Sequence, residues 1–118
     1  MTNETNSKAL RKMIAVLSRF RQFDHKMQVS AVLTLLEVAL ADAEERDLHP
    51  KDVEQRVGLH TGTTSRNLWY WSEGTKEMTG AHELINIKPS SEDRRQKYLS
   101  LSHKGKAFVN ALVGDLNG

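Results

Sequence analysis

The segment from Pro89 to Leu112 constrains the fold of this 118-residue chain more than any other part of the sequence. It combines a charged turn, a short strand of alternating apolar and polar residues, and an amphipathic helix that begins after Ser102. Leu99 and Leu101 follow the strand period of two, and serine is a frequent helix N-cap. Because strand signals also precede the turn, the sequence predicts a two-stranded hairpin over residues 84–102 with a helix after it.

Four helices are predicted upstream of the hairpin from apolar residues at spacings of three and four. The first covers Lys8 to Phe23 and the second covers Gln28 to Ala43. Pro50 and Gly58 bound a short third helix, since proline suits the first helical turn and glycine the end. The fourth helix begins near Thr61. Leu35 and Val38 add an apolar flank to the second helix, which is therefore predicted to lie at the centre of the domain. Its main apolar side consists of Val29, Val32, Leu33, Leu36, Ala39, Leu40 and Ala43.

This order of elements predicts a mainly α domain closed by one small β-hairpin. The helix-turn-helix unit spans about 49–74 and the hairpin, as a wing, about 84–102. Residues 1–7 are expected to form a disordered tail, and residues 8–118 a single domain. The predicted fold class is therefore a winged helix-turn-helix.

Composition excludes several classes of function. With no cysteine, neither disulfides nor thiolate catalysis is available. The sequence contains no run of about 18 apolar residues, so no membrane span is predicted. The five histidines lack the spacing of metal ligands, and neither a G-x-S-x-G elbow nor a phosphate-binding loop occurs. We expect a cytoplasmic protein that is not an enzyme and needs no cofactor or metal.

Charge is unevenly distributed along the chain, although the net charge is only +2. Residues 1–28 carry six Lys and Arg against two acids, whereas residues 29–57 carry three against seven. Residues 58–106, which include the fourth helix and the wing, carry eight against five. Such segregation is typical of a surface that attracts a polyanion, and equally of an ordinary solvated surface.

Three short motifs follow one another through the wing: Asp93-Arg94-Arg95, Leu101-Ser102 and Lys104-Gly105. Upstream, Gly58-Leu59 stands in the turn of the helix-turn-helix, before Thr61-Gly62-Thr63-Thr64-Ser65-Arg66. With these motifs, residues 28–112 resemble the MarR-type winged-helix transcription regulators, whose wing carries Asp-x-Arg, Leu-Thr and x-Lys-Gly. The resemblance implies double-stranded DNA binding and a homodimer through the terminal helices, residues 8–23 and 103–116.

The sequence departs from that family in three places. Glu54 stands where a helix-turn-helix usually has a small residue. About eight extra residues separate Gly74 from Leu84, and the final helix is shorter than the dimerising region of family members. The fold is therefore the firmest part of the resemblance.

DNA contacts are predicted on the fourth helix and on the wing. A recognition helix, residues 61–71, would read the major groove, where Arg pairs with guanine, Asn with adenine and Thr with the thymine methyl. The wing, residues 88–97, would reach the minor groove or the backbone. Its arginines suit a narrow minor groove and its lysines suit phosphates. By helical spacing, the residues of the fourth helix that face outward are Thr61, Thr63, Arg66, Asn67 and Tyr70. The predicted DNA contacts are these five residues together with Arg94, Arg95 and Lys97.

Two other functions fit the same sequence. A winged helix can bind a protein partner without recognising DNA, with the acidic segment 42–52 and the insertion 72–83 as the contact surface. A protein that coats DNA without sequence preference is also possible, and a steep salt dependence would reveal it. Trp71 is assigned to the core, whereas Trp69 is left to cover by the insertion or by a partner.

Overall fold

The computed structural model describes residues 3–74, 82–89 and 96–118. Within these residues the chain forms five helices and one antiparallel hairpin, in which Ile85 pairs with Leu101 and Ile87 with Leu99. The elements are α1 Asn3–Phe20, α2 Val29–Ala43, α3 Pro50–Val57, α4 Thr61–Trp71, β1 Ile85–Pro89, β2 Lys97–Leu101 and α5 His103–Asn117. The predicted fold class, a mainly α winged helix-turn-helix, is confirmed.

The first helix is longer at its start and shorter at its end than predicted. Residues 3–7, which the sequence assigned to a disordered tail, are helical, and Glu4 lies in the first turn, where the helix dipole favours a negative charge. The helix ends at Phe20, because a tight turn follows in which the Phe23 N–H donates to the Phe20 carbonyl. Among the described residues, no helix is long and apolar enough to cross a membrane.

The face of α2 that packs on the core is not the predicted one. The predicted stripe leaves Val29 71%, Leu33 42% and Leu40 40% exposed. Apolar residues occupy most of the circumference of α2, so their spacing did not identify the inward side. The neighbouring elements identify it instead, because α3, α4 and β2 all pack on α2, and the Trp71 side chain of α4 donates to the Ala31 carbonyl. The buried residues of α2 are Ala31, Thr34, Leu35, Val38, Ala39 and Ala41.

Trp71, the last residue of α4, lies at the centre of the core and is 0% exposed. Its indole N–H donates to the Ala31 carbonyl at 2.7 Å, which joins α4 to α2. Phe20 and Phe23 pack edge-on against its ring, with ring centroids 6.1 and 5.6 Å away. The main-chain carbonyl of Trp71 accepts from the Leu84 N–H at 2.7 Å, just before β1. One residue therefore connects α1, α2, α4 and the start of the wing.

The hairpin is fixed to the helices at two places. Its inner side is apolar, and Ile85, Leu99 and Leu101 are buried. The Leu99 N–H donates to the carbonyl of Leu48 at 2.9 Å, so β2 is hydrogen-bonded to the segment that leads into α3. A two-stranded hairpin is marginal alone, and this packing supplies what it lacks.

The start of α5 explains the glycine of the Lys-Gly motif. The Ser102 hydroxyl caps the helix by accepting from the Gly105 N–H at 2.9 Å, and the Ser102 N–H donates to the Leu84 carbonyl at 2.9 Å. These bonds draw the first turn of α5 onto Leu84. A Cβ at Gly105 would lie 1.9 Å from the Leu84 carbonyl oxygen, far inside van der Waals contact. Only glycine fits at this position.

We predict that Gly105→Ala destabilises the protein by about 1–3 kcal/mol, because the methyl group collides with main-chain atoms that cannot move aside cheaply. Gly114→Ala, in the same helix, is the matched control. A Cβ there meets nothing within 4 Å, and alanine should stabilise the helix by about 0.5–1 kcal/mol. Chemical denaturation measures both variants, and equal effects of the same sign would contradict this account.

Candidate nucleic-acid interface

The turn between α3 and α4 sets the geometry of the helix-turn-helix. Gly58 ends α3 in the left-handed region, with φ of 80°, and the N–H groups of Gly58 and Leu59 donate to the Glu54 carbonyl at 2.9 and 3.0 Å. Val53 of α3 and Leu68 of α4 are both buried in the core. Gly58 and Leu59 thus form the predicted turn, and α4 packs against α3 through the core.

Glu54 has a specific partner, which explains its departure from the small residue usual at this position. Its Oε1 accepts a hydrogen bond from the Thr61 hydroxyl at 2.7 Å. The carboxylate thereby lies at the first residue of α4, where the helix dipole favours negative charge. Glu54 joins α3 to α4 through this bond instead of through close packing.

The first half of α4 presents an exposed polar face. Thr61, Thr63 and Arg66 are exposed, as predicted from their helical positions. Ser65 is exposed as well and was missed, although it follows Thr61 by four residues and so lies on the same side of the helix. These small side chains leave Arg66 as the longest polar group on the exposed turns.

Asn67 was expected to face outward, and that expectation is wrong. The residue is only 9% exposed, and its side-chain N–H donates to the Thr34 hydroxyl oxygen at 3.4 Å. The Thr34 hydroxyl in turn donates to the Ser30 carbonyl at 2.8 Å. Because α4 packs against both α2 and α3, its buried arc is wider than one apolar stripe and includes this amide.

Tyr70 also turns towards the protein and not towards the exposed face. It is half-buried, with its ring centroid 4.7 Å from that of His82 and 5.2 Å from that of Trp71. Its hydroxyl is buried without a hydrogen-bond partner within the described structure. Burial raises the pKa of Tyr70, and the negative charge of Asp24 raises it further. The predicted outward position of Tyr70 is therefore wrong as well.

His82 fills an aromatic pocket beside the end of α4. Its ring centroid lies 4.6 Å from that of Phe23, and its main-chain N–H donates to the Tyr70 carbonyl at 3.3 Å. Burial lowers the pKa of His82 from its ordinary 6.5, and the positive charge of Lys104 lowers it further, against a smaller opposite effect of Asp24. The folded protein thus favours the neutral imidazole.

We predict that acid weakens the protein through His82. Because its pKa is lower in the folded state, the unfolded chain binds more protons as the pH falls below about 6.5, and the free energy of unfolding decreases. Between about pH 7.5 and about pH 5, the unsubstituted protein should lose more unfolding free energy than His82→Phe. Denaturant titrations at several pH values measure the difference, and parallel curves would rule out this role.

The described part of the wing contributes Lys88 on β1 and Lys97 on β2, both exposed. The Lys97 ammonium lies 5.6 Å from the centroid of the Trp69 ring, a cation–π distance. Arg94 and Arg95 fall outside the described residues, so their predicted contacts stay predictions. Lys97 alone among the predicted wing contacts therefore has a described position.

A cleft of about 530 Å³ separates the start of α3, the exposed side of α4 and the hairpin. The half-buried Trp69 forms part of its wall. The sequence did not predict this position, because Trp69, Tyr70 and Trp71 are consecutive and cannot all lie on one helix face. In the part of the chain that the structure describes, no group of acidic or histidine side chains is placed to hold a metal ion. Polar residues along the cleft are His49, Lys51, Asp52, Glu54, Thr61, Thr64, Ser65, Gln96 and Lys97.

Solved structures with this arrangement include regulators bound to DNA. The S. aureus MepR–DNA complex aligns with a TM-score of 0.66 at 20% identity, over 97% of this chain and 77% of that one. An S. aureus MepR mutant bound to an oligodeoxyribonucleotide aligns with a TM-score of 0.71 at 16% identity, over 99% of this chain and 78% of that one. An E. coli MarR mutant in complex with operator DNA aligns with a TM-score of 0.61 at 13% identity, over 92% of this chain and 67% of that one. The fold is that of the MarR-type winged-helix regulators.

The comparison confirms the fold that the MarR-type resemblance implied. At sequence identities of 13–20%, the similarity to these complexes establishes the fold alone. No protein-family model matches the sequence, and no curated protein matches it either.

Proposed function

We propose that this protein binds double-stranded DNA sequence-specifically as a transcription regulator. The observation that carries the proposal is the position of two surfaces at one cleft. Thr61 and Ser65, from the exposed polar face of α4, and Lys97, the first residue of β2, all line it. A helix in the major groove with a cationic hairpin beside it would engage bases and backbone together. The fold is shared with proteins solved in complex with DNA, which supports this reading.

Each exposed side chain has a contact that suits its chemistry. Arg66 can donate two hydrogen bonds to guanine, and Thr63 can offer its methyl group to thymine. Thr61, whose hydroxyl donates to Glu54, keeps its oxygen lone pairs and its methyl group for the duplex. Arg94 and Arg95 are proposed to reach the minor groove or the backbone, and Lys97 a phosphate. Asn67 and Tyr70 are left out of the proposed interface because they face the protein.

Selection from random DNA duplexes tests the proposal directly. The enriched sequence is then titrated against its scramble at two salt concentrations. We expect a palindromic motif with a preference of at least ~10³-fold over the scramble. Binding that ignores sequence and collapses as salt rises would instead indicate a DNA-coating protein.

We predict that Arg66→Ala costs about 1–3 kcal/mol of binding free energy on the selected duplex and relaxes preference at one base pair. Arg56→Ala is the control, since it removes the same charge from the neighbouring helix, where Arg56 pairs with Glu37. The control should keep the base preference. Equal losses of Arg66→Ala on the selected and scrambled duplexes would refute base reading by Arg66.

The terminal helices are the proposed homodimer interface. The side chains of α1 include Leu10 at 56%, Ile14 at 64% and Leu17 at 55% exposure, and Leu116 of α5 is 49% exposed. The two helices are already paired within one chain, because the Arg19 guanidinium binds the Asp115 carboxylate, with Nη2 to Oδ1 at 3.0 Å. An apolar surface of this kind on a soluble domain is typical of a protein–protein contact. A two-fold dimer would place two recognition helices ~34 Å apart, one DNA turn.

We predict that sedimentation at micromolar concentration gives twice the 13.4 kDa chain mass, and that Leu17→Glu reduces it to one chain mass. A carboxylate in the apolar interface would have to be desolvated without a partner. Lys8→Glu is the control, since Lys8 lies nine residues away, on the opposite side of α1, and should stay dimeric. A monomer for the unsubstituted protein would exclude this dimer.

The protein-interaction alternative remains a distinct outcome of the same experiments. Exposed acidic residues follow α2, among them Glu44, Glu45 and Asp47. If selection enriches no duplex and no DNA binds at low salt, a protein partner for the winged helix becomes the better proposal. Such binding would be insensitive to Arg66→Ala.

A further inference from the structure

Lys97 is held in place at both its main chain and its side chain. The His49 ring lies with Nδ1 2.8 Å from the Lys97 carbonyl oxygen. Because a carbonyl can only accept, Nδ1 must carry the hydrogen and donate it. The Lys97 ammonium lies over the Trp69 ring, 5.6 Å from its centroid. Two residues from two different elements therefore fix one wing lysine.

The main chain around Lys97 is fixed by further contacts with the segment before α3. The Tyr98 ring packs on the His49 ring with centroids 4.7 Å apart. The next residue, Leu99, donates its N–H to the Leu48 carbonyl at 2.9 Å. The start of β2 thus has a set position relative to the helix-turn-helix. The Cα atom from which the Lys97 side chain extends is held in the same way.

The other exposed cations of the proposed interface are not held in this way. Within the described part of the chain, neither Arg66 nor Lys88 has a side-chain hydrogen bond, ion pair or ring contact. A free lysine loses rotamer entropy when it settles on a phosphate, whereas a lysine already placed loses less. Lys97 is thus the preorganised cation among those described.

Among the described residues, the Trp69 ring makes no aromatic pair and no side-chain hydrogen bond, and its charged neighbour is Lys97. It is half-buried, while its neighbour Trp71 is fully buried in the core. Tryptophan presents the strongest cation–π face of the aromatic residues. Its indole stands on the wall of the cleft between α4 and the wing, with Lys97 on the same cleft.

We propose that Trp69 and His49 are positioning residues that hold Lys97 for contact with a DNA phosphate. His49 fixes the main chain of Lys97, and Trp69 holds its ammonium at the cleft beside the recognition helix. The inference rests on the proposed DNA binding and adds two residues that do not themselves touch DNA. Trp69 acts through Lys97, so its effect on binding depends on that lysine.

A double-mutant cycle on DNA affinity tests this dependence. Lys97→Ala should weaken all duplexes similarly and reduce the slope of log K against log salt by ~1. Trp69→Leu should weaken binding by roughly two- to five-fold, the range expected for an exposed cation–π contact, and move the salt slope towards that of Lys97→Ala. Adding Trp69→Leu to Lys97→Ala should then cost nothing further. Trp69→Phe, which keeps an aromatic face, should restore most of the loss.

Lys88→Ala provides the matched control for the cycle. Lys88 is also an exposed wing lysine, but among the described residues its ammonium makes no cation–π contact with Trp69, so its loss and that of Trp69→Leu should add. Additive losses of Trp69→Leu and Lys97→Ala, or an unchanged salt slope in Trp69→Leu, would overturn the proposal. If Trp69→Leu lowers the thermal unfolding midpoint, Trp69→Met takes its place in the same cycle.

A measurement without DNA separates this inference from the proposed function. An ammonium over an indole face shifts the neighbouring ε-methylene proton resonances upfield, and Trp69→Leu should abolish that shift for Lys97. Absence of the shift in the unsubstituted protein would overturn the positioning role even if DNA binding holds. A normal shift without binding of any duplex would overturn the proposed function, and with it the role of Lys97 at a phosphate.

Discussion

The hydrogen bond from the Trp71 indole to the Ala31 carbonyl is the contact on which the arrangement of the helices depends. Both groups are buried, and a buried donor or acceptor left unpaired would cost about 1–3 kcal/mol. The bond therefore fixes the rotation of α4 relative to α2. Since the inward side of α4 is set by Trp71, the opposite side, with Gly62, Ser65 and Arg66, is the one that reaches solvent.

Trp71 also fixes the position of the wing relative to α4. The Trp71 carbonyl accepts from the Leu84 N–H, and the Leu84 carbonyl accepts from Ser102, the cap of α5. Gly105 then packs on that carbonyl without room for a side chain. The end of the recognition helix, the start of β1 and the start of α5 form one connected unit, so the wing has a fixed place beside α4.

Local sequence signals predicted the elements well, because turn chemistry and strand alternation act over a few residues. Gly58, Pro50 and Ser102 mark helix ends by their own conformational or capping properties, and Ile85 and Leu99 mark a sheet face by alternation. The resemblance to the MarR-type fold followed from these elements and the motifs between them, and the comparisons confirm that fold.

Features that depend on how the helices pack against one another could not be predicted from the sequence. The inward side of α2 was assigned wrongly, because its apolar residues surround the helix and only the approach of α3, α4 and β2 selects a side. Asn67 was assigned outward from its helical spacing, whereas Thr34 supplies a partner in the interior. Trp69 was left to cover by the insertion or by a partner, because its cationic neighbour, Lys97, lies 28 residues further along the chain, beyond the reach of local sequence patterns.

DNA binding through α4 and the wing can be tested by amide hydrogen exchange with and without a selected duplex. We predict that DNA slows exchange in the first turns of α4, residues 61–66, and at the start of β2, residues 96–98. The exposed acidic segment after α2 should exchange as it does in the free protein. Slower exchange confined to that acidic segment, with α4 and β2 unchanged, would contradict the account.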